Sequence, residues 1–429
     1  MTRLPGLKNG RLRDLRPLRH GALAQALEAL NGDGAETRVV GGAVRDLALG
    51  VKGDDLDLAT TARPDEVIRR ARAAGFKVAT TGITHGTVTL IVEGQPIETT
   101  TLRKDVETDG RHAKVAFGRD FFADALRRDF TINALSLSPD GQIYDPLGGL
   151  DDLAAGRVRF IGDADARIRE DYLRILRFFR FSARFGEGTI DPEGLGAAIR
   201  NRATIVNLSR ERVRAEILKL VVALRAGAVV RAMDECGILE QLLGFAYPGR
   251  FDRLIAIETA HRADSDALLR LAALGVVTTE DAGRLCRRLR LANAEYERLA
   301  SAAAALTTLH GICAPPPDDD LRVLLFSAKR RAALDALLLA QVESGTTPDD
   351  PAFVRAHRFL ADTPEPELPI TGSDLIARGI EKGPQVGEIL RLLRQRWVKA
   401  GFPIDPDSLD QLVNAAVEAP QSSSRTKIQ

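Results

Sequence analysis

The sequence of 429 residues predicts an α+β amino-terminal portion followed by an all-α remainder. Two observations lead to this fold class. Up to about residue 160, short β-branched runs alternate with helical patterns and glycine-containing turns. Beyond it, strand signals nearly vanish, and Leu, Ala and Arg recur at helical spacing. The length exceeds that of one ordinary hydrophobic core, so we expect roughly two to four domains.

Local signals give the elements of the α+β portion. Residues 1–19 mix Arg and Pro and predict a loosely ordered start. Strands are predicted at 37–40, 55–59, 76–80, 86–93 and 96–102. Helices are predicted at 21–30, 43–50, 64–74 and 122–137, with proline and glycine marking several of their ends. The polar stretch 103–120 predicts a loop, and 143–150 predicts a turn-rich segment.

The remainder predicts a series of helices, because apolar residues recur with the helical period between Pro- or Gly-containing breaks. The predicted helices are 165–185, 193–200, 209–224, 226–234, 251–260, 264–274, 279–289, 293–306, 319–342, 351–360, 372–378, 384–399 and 406–418. The Ser-rich end, 421–429, predicts disorder.

Composition excludes several classes of protein. Lys+Arg is 60 and Asp+Glu is 59, so net charge does not by itself point to nucleic acid. Cys236, Cys286 and Cys313 are far apart, which predicts neither a disulfide framework nor a zinc cluster and favours a reducing, cytoplasmic location. The sequence has no run of about 18 apolar residues, so we expect no membrane span.

Two carboxylates, Asp55 and Asp57, are one residue apart on a predicted strand and therefore point to the same side. They would repel each other unless a cation lay between them. Mg²⁺ prefers a few carboxylates together with phosphate oxygens and water. The pair therefore fits a metal site for phosphoryl or nucleotidyl transfer, and an exposed acidic turn is the alternative.

The glycine pair Gly41-Gly42 follows a short apolar strand and precedes a predicted helix. Glycines at this point allow a tight turn and close approach of the backbone to phosphate. Arg45, in the first helical turn, can reach the same anion. A purely structural turn is the alternative, but the carboxylate pair about ten residues later favours a triphosphate site.

Other polar residues suit partners of that site. Glu98, in a β-branched run, would complete the carboxylate set if it does not face solvent. Asp129 and Asn133 are four residues apart and would share one helix face. Arg128, beside them, would neutralise charge that builds up on a triphosphate, although a solvated helix start would look the same.

The predicted helix 165–185 carries Asp171, Arg174 and Arg177 along one side. An Asp beside an Arg offers an acceptor and fixed donors, which is what the hydrogen-bonding edge of a nucleobase requires. Arg177 and Arg180 can also reach phosphate. The alternative is an amphipathic helix with internal ion pairs.

Five motifs occur in an order typical of a known family. They are Gly-Gly-Ala-Val-Arg-Asp at 41–46, Asp-Leu-Asp-Leu-Ala-Thr at 55–60, Arg-Arg-Asp-Phe-Thr-Ile-Asn-Ala-Leu at 127–135, Asp-Pro-Leu-Gly-Gly-Leu-Asp-Asp-Leu at 145–153 and Glu-Asp-Tyr-Leu-Arg-Ile-Leu-Arg at 170–177. The sequence thus resembles the class II tRNA nucleotidyltransferase (CCA-adding enzyme) and bacterial poly(A) polymerase family.

The resemblance implies an architecture and a set of roles. It implies a polymerase-β-like catalytic head at 1–160, a helical neck with base recognition at 161–225, a helical body at 226–350, and a helical tail for tRNA binding at 351–429. It implies Mg²⁺ on the catalytic residues Asp55 and Asp57, and chemical expectation adds Glu98 to the catalytic set. It implies nucleotide contacts from Gly42, Arg45, Arg128, Asp171, Arg174 and Arg177. The chemistry of the residues themselves adds Gly41, Asp129, Asn133 and Arg180 to the expected nucleotide-binding set.

The implied activity is addition of C, C and A to the tRNA 3′ end from CTP and ATP, without a nucleic-acid template and with release of pyrophosphate. The stretch 103–120 is similar in length to that of enzymes with the complete activity. The alternatives are a poly(A) polymerase, which shares the motifs, and a non-catalytic RNA-binding relative, which the intact acidic and basic residues disfavour. We expect no stable protein partner.

Overall fold

The computed structural model describes residues 4–51, 56–109 and 112–418. The chain divides into two compact units. The first runs to Pro248 and includes Arg288–Arg290; the second holds Gly249–Arg287 and the chain from Leu291 onward. None of the helices in the described ranges is both long and apolar enough to cross a membrane.

All strands of the described residues belong to the first unit. In chain order they are β1 (Leu7–Lys8), β2 (Arg11–Leu12), β3 (Thr37–Val40), β4 (Asp57–Thr60), β5 (Lys77–Ala79), β6 (Thr87–Val92), β7 (Gln95–Thr101), β8 (Arg103–Asp109), β9 (His112–Phe117), β10 (Ser136–Leu137) and β11 (Ile143–Tyr144). Seven of them form one sheet in the order β11-β10-β3-β4-β7-β6-β5. Among the described strands of this sheet, β4 and β7 pair in parallel and the other neighbours pair antiparallel.

Twelve α-helices of the described chain precede the end of the first unit. They are α1 (Arg16–Arg19), α2 (Ala22–Leu30), α3 (Gly42–Ala48), α4 (Pro64–Ala73), α5 (Phe121–Leu126), α6 (Gly149–Ala154), α7 (Ala164–Glu170), α8 (Leu173–Phe185), α9 (Pro192–Asn201), α10 (Arg210–Val221), α11 (Ala226–Glu235) and α12 (Ile238–Leu243). Short 3₁₀ turns lie at Ile83–His85, Thr131–Asn133 and Arg202–Asn207.

The two faces of the sheet differ in chemistry because side chains alternate along each strand. One face buries Val39, Leu58 and Ile97 against apolar residues of α2 and α4. Arg38, Asp57 and Glu98, each one position away from those residues, therefore lie on the opposite face. The packed face holds the sheet in place, and the opposite face is available to a functional site.

Helix α8 is anchored to the sheet-containing part by aromatic residues. Phe130 lies 4.9 Å from Phe160, and Phe160 lies 5.3 Å from Phe178, between ring centres. Phe130 is also 5.3 Å from Phe181. These rings are buried, and two arginines that alternate with the phenylalanines along α8 pack against one of them. The guanidinium carbons of Arg177 and Arg180 lie 5.3 Å and 4.1 Å from the ring centre of Phe181.

The second unit is helical. Its elements are α13 (Pro248–His261), α14 (Ala267–Gly275), α15 (Thr279–Leu289), α16 (Asn293–Leu306), α17 (Asp318–Ser344), α18 (Pro351–Asp362), α19 (Gly372–Ala377), α20 (Pro384–Lys399) and α21 (Pro406–Val417). Helix α17 is kinked at Lys329, whose φ is 67°. A separate core around Trp397 joins α19, α20 and α21.

The predicted fold class is confirmed, with an α+β head and a helical remainder. Four details were wrong. Residues 7–8, 11–12 and 16–19 form regular elements within the stretch predicted as loosely ordered. Part of the predicted loop 103–120 forms the β8–β9 hairpin, although Gly110 and Arg111 lie outside the described residues. The predicted helix 122–137 ends at Leu126, and the predicted helix 165–185 is interrupted at Asp171 and Tyr172.

The two interruptions have different causes. At Asp171 the backbone is extended, with φ −156° and ψ 107°, and the carboxylate accepts the N–H of Leu173 at 3.1 Å. At Phe130 the chain is also extended and pairs with Phe160. The hydrogen bond of the Asp171 side chain competes with the helical hydrogen bonds of the backbone. The apolar periodicity of the sequence does not reveal that competition.

Candidate functional site

A cavity of about 1030 Å³ opens on the polar face of the sheet, between α3, α8 and α10. Eight cationic and five anionic side chains of the described residues line it. The excess of positive charge favours an anionic ligand. The predicted site residues that line the cavity are Gly41, Gly42, Arg45, Asp57, Arg128, Asp129, Asn133, Asp171, Arg174, Arg177 and Arg180.

The glycine turn closes one side of this cavity. Gly41 has φ 70° and ψ −130°, a conformation that L side chains rarely adopt. A Cβ atom at Gly41 would also lie only 2.8 Å from Nη1 of Arg128. Glycine is therefore required here for two reasons, and the second is the close approach of Arg128.

Arg45 is buried and held in a fixed position. Its Nε donates to Asp46 at 2.9 Å, and its Nη1 donates to the Oδ1 atom of Asn133 at 2.5 Å. Its guanidinium carbon lies 4.0 Å from the ring centre of Phe185. Burial lowers the pKa of Arg45, and Asp46 opposes that shift. The side chain is thus preorganised by a carboxylate, an amide and an aromatic ring.

A second network joins Asp129 to α8 and α10. Arg177 donates from Nε to Asp129 at 2.8 Å, and the Nδ2 atom of Asn133 donates to the other carboxylate oxygen at 2.9 Å. Burial raises the pKa of Asp129, but Arg177 and these hydrogen bonds outweigh it and hold the pKa below its ordinary value. Arg180 donates to Glu216 at 2.5 Å. The predicted proximity of Asp129 and Asn133 is present, although no helix links them.

Arg128 lies beside the glycine turn because Asp124 holds it there. Its Nη2 is 3.1 Å from Asp124, and Arg127 pairs with the other oxygen of that carboxylate at 2.6 Å. Burial opposes ionisation of Asp124, but the two guanidiniums prevail and lower its pKa. Asp124 is therefore an anionic support for Arg128 at the edge of the cavity.

Asp171 and Arg174 lie at the start of α8, where the chain leaves α7. The Oδ2 atom of Asp171 accepts from Arg212 at 2.6 Å. Arg174 donates to the carbonyl oxygen of Arg167 at 2.9 Å and pairs with Glu170. The two residues are brought together at the cavity by the helix break, and not by a shared face of one helix as predicted.

The carboxylates on the sheet are only partly described. Asp57 opens β4 and pairs in parallel register with Glu98 of β7, so both side chains lie on the same face. Glu98 is exposed and does not line the cavity. Asp55 lies outside the described residues. Within the described part of the chain, no cluster of three or more His, Cys, Asp or Glu residues could hold a metal ion.

Some lining residues were not predicted. They are Asp46, Arg184, Arg212, Glu216 and Lys219. Arg184 lies seven residues after Arg177, and Arg212 lies four before Glu216, so each pair shares a helix face. The sequence contains this spacing. It does not show which helix faces turn toward the cavity.

Family models match three parts of the chain. Residues 37–159 match the Poly A polymerase head domain. Residues 189–248 match a model described as "Probable RNA and SrmB- binding site of polymerase A". Residues 263–413 match a model for domain 2 of tRNA nucleotidyltransferases.

Relatives are similar to the chain over most of its length. The mitochondrial CCA tRNA nucleotidyltransferase 1 of Danio rerio is 34% identical, over 87% of this chain and 86% of the relative. The CCA-adding enzyme of Geobacillus thermodenitrificans is 34% identical, over 85% and 89%. A crystal structure of the Bacillus stearothermophilus CCA-adding enzyme in complex with CTP has a TM-score of 0.73 and 28% identity, over 93% and 98%. The chain therefore belongs to the class II tRNA nucleotidyltransferase (CCA-adding enzyme) and bacterial poly(A) polymerase family.

Proposed function

We propose that this chain adds C, C and A to the 3′ end of tRNA from CTP and ATP, without a nucleic-acid template, and releases pyrophosphate. The observation that carries the proposal is the cationic cavity. Asp57, the glycine turn and the break between α7 and α8 all line it. One cavity thus has groups for a triphosphate, for a base edge and for the reacting centre.

Enzymes of this family generally use a divalent metal ion. We propose Mg²⁺, held by Asp57 and Asp55 with Glu98 as the third catalytic carboxylate. The donors fit a hard cation, because Asp57 and Glu98 offer carboxylate oxygens from paired positions of adjacent strands. When bound, the ion would supply positive charge that stabilises the anionic transition state. Asp57, which lines the cavity, would also orient the RNA 3′ hydroxyl toward the α-phosphate.

For the triphosphate, we propose contacts from Gly41, Gly42, Arg45 and Arg128. Arg128 lies next to Gly41 and is held by Asp124, so its charge is fixed before the substrate binds. Arg45 is fixed by Asp46 and Asn133. Such preorganised cations stabilise the charge that accumulates on departing pyrophosphate without having to reorganise.

For the base, we propose that Asp171 and Arg174 read its hydrogen-bonding edge, with Arg177, Arg180, Asp129 and Asn133 supporting them. A carboxylate accepts from the exocyclic amino group of C or A, and a guanidinium donates to the neighbouring ring nitrogen. U and G carry a carbonyl oxygen where C and A carry that amino group. The Asp–Arg arrangement therefore selects the two correct bases over the two incorrect ones.

The division of labour along the chain is also a proposal. We assign catalysis to a head at 1–160, base recognition to a neck at 161–225, and a helical body to 226–350. The tail at 351–429 would bind tRNA by contacting the phosphate backbone of the tRNA and by matching its shape. We propose a cytoplasmic location, supported by Cys236, Cys286 and Cys313, which are all free thiols.

The test is incorporation into tRNA that lacks its 3′ CCA sequence, with CTP, ATP or both. We expect two C residues from CTP alone and one further A when ATP is added, followed by arrest. A long A tract from ATP alone would instead indicate a poly(A) polymerase. Binding of tRNA without any incorporation would indicate a non-catalytic relative.

A further inference from the structure

A second groove lies on the polar face of the sheet. It has a volume of about 600 Å³ and is lined by residues of β3, β10, β11 and α5. Arg128 lines both this groove and the larger cavity. Val40 lines the groove and follows Val39 on β3. Val39 pairs with Leu58 of β4, and Leu58 directly follows Asp57. The groove therefore begins beside the proposed catalytic centre and extends toward β11.

The groove contains a fixed guanidinium between aromatic side chains. The guanidinium carbon of Arg38 is 3.7 Å from the ring centre of Tyr144 and 4.1 Å from that of Phe121. Arg38 also donates to Ser136 at 3.3 Å and pairs with Glu36 at 2.6 Å. Tyr144 nevertheless remains 41% exposed. An exposed ring beside a fixed guanidinium is a surface on which a nucleobase can stack.

The charge of the groove favours a base over a phosphate chain. Its lining has four acidic residues and three arginines, in contrast to the cationic larger cavity. Asp120 and Asp145 accept backbone N–H groups, and Asp124 is paired with Arg127 and Arg128. The acids are thus satisfied within the protein, and the exposed ring of Tyr144 is left for a flat, uncharged partner.

We propose that this groove binds the unpaired nucleotide at the 3′ end of the RNA acceptor, whose base stacks on the exposed ring of Tyr144, while Arg38 packs against that ring from within the groove. The inference rests on the proposed function, which requires the RNA 3′ hydroxyl to lie close to Asp57. Arg128 would separate the phosphates of the incoming nucleotide from the terminal base of the RNA. Stacking uses a face that all bases share, so one groove accepts a terminal base that changes after each addition.

The experiment uses the full-length enzyme and a tRNA with the fluorescent base 2-aminopurine at its 3′ end, which is quenched on stacking. We compare Tyr144→Ala with the matched variant Tyr144→Phe, which keeps the ring. Wild type and Tyr144→Phe should quench the fluorophore, and Tyr144→Ala should lose most of the quenching. The KM for tRNA should rise about five- to fiftyfold in Tyr144→Ala, whereas the KM for CTP should stay nearly constant.

The two proposals fail in different ways. Unchanged quenching and unchanged KM for tRNA in Tyr144→Ala would overturn the groove while leaving incorporation by wild type intact. An increase in the KM for CTP alone would also overturn it, because the groove would then serve the incoming nucleotide. Absence of incorporation by wild type would refute the proposed function, and the fluorescence would still report whether the terminal base stacks. Tyr296→Ala, which removes another exposed tyrosine that lines neither cavity, should match wild type in quenching.

Discussion

Buried ion pairs occur in both compact units, but their surroundings differ. In the first unit, the side chains of Arg180 and Glu216 are each 10% exposed, and both residues line the large cavity. In the second unit, the side chains of Arg270 and Glu258 are 7% and 8% exposed, and neither residue lines that cavity. The same chemistry can therefore serve two purposes. A charge pair beside open space can contact a ligand, whereas we expect a pair packed between α13 and α14 to contribute to folding stability.

The largest effect should come from Asp57, the proposed metal ligand that lines the cavity. Asp57→Asn keeps the shape of the side chain but removes the charge that would hold the metal ion. We expect incorporation of CMP to fall about 10³-fold or more, because metal-assisted stabilisation of the transition state contributes several kcal/mol. Affinity for tRNA, measured by filter binding, should be unchanged. An activity close to that of wild type would show that Asp57 is not a metal ligand.

Two matched variants test the comparison itself. Glu216→Gln and Glu258→Gln each leave a buried arginine without its full counter-charge, which costs about 3–5 kcal/mol of folding free energy. Glu258→Gln should lower stability but leave the KM for CTP unchanged. Glu216→Gln should also raise that KM about tenfold, because Arg180 and Arg177 lose a common partner.

Unfolding of the second unit can be followed separately. Trp397 is the only tryptophan of the sequence and is buried in the core of α19, α20 and α21. Its fluorescence during urea unfolding should report the loss of stability in Glu258→Gln. Circular dichroism during urea unfolding should report the loss of stability in Glu216→Gln. A similar rise in the KM for CTP in both variants would contradict the difference between the two units.

The sequence predicted the repetitive parts of the fold well. Each strand of the sheet from β3 to β7 lies within about two residues of its predicted position, because short apolar or β-branched runs between turn residues mark the strands in the sequence. The helices of the second unit were located from apolar residues at helical spacing. The periodicity was misleading at Asp171, where apolar residues continue at helical spacing from Ile168 to Leu176 but a side-chain hydrogen bond breaks the helix.

The candidate site was predicted as a set of residues but not as a geometry. Motif residues from α3 to α8 do line one cavity. The pairs that fix them join Arg177 to Asp129, 48 residues apart, and Arg212 to Asp171, 41 residues apart. No local spacing encodes such pairs, because they depend on how helices pack. For the same reason the exposure of Glu98 was not foreseeable, although its place on a strand was.

A smaller effect concerns a buried histidine in the second unit. The Nε2 atom of His357 is buried without a hydrogen-bond partner among the described residues. Burial, with a contribution from His261, lowers the pKa of His357 from 6.5 to about 4. As the pH falls below 6.5, the unfolded chain binds a proton before the folded one does, so stability decreases until about pH 4.

Between pH 7 and pH 5 this difference amounts to about 2 kcal/mol. Urea unfolding monitored by Trp397 should show the loss in wild type, and His357→Gln should remove most of it. The pH dependence of nucleotide incorporation should be the same in both proteins, since His357 lines neither cavity. An identical loss of stability in His357→Gln would assign the pH dependence to other groups.

The smallest effect should come from ion pairs that are exposed in both units. Arg355 pairs with Asp318 at 2.5 Å, but their side chains are 56% and 49% exposed. Arg355→Ala should therefore change the free energy of unfolding by only about 0.5 kcal/mol, which falls further at high salt. Arg69→Ala, which breaks an exposed pair with Glu66 on α4, should leave incorporation of CMP unchanged. If either variant matched the effect of Glu216→Gln or Glu258→Gln, burial would not be what distinguishes these pairs. In that case the number of ion pairs would explain the effects on stability and incorporation. Whether a pair lies beside a cavity or is packed between helices would not matter.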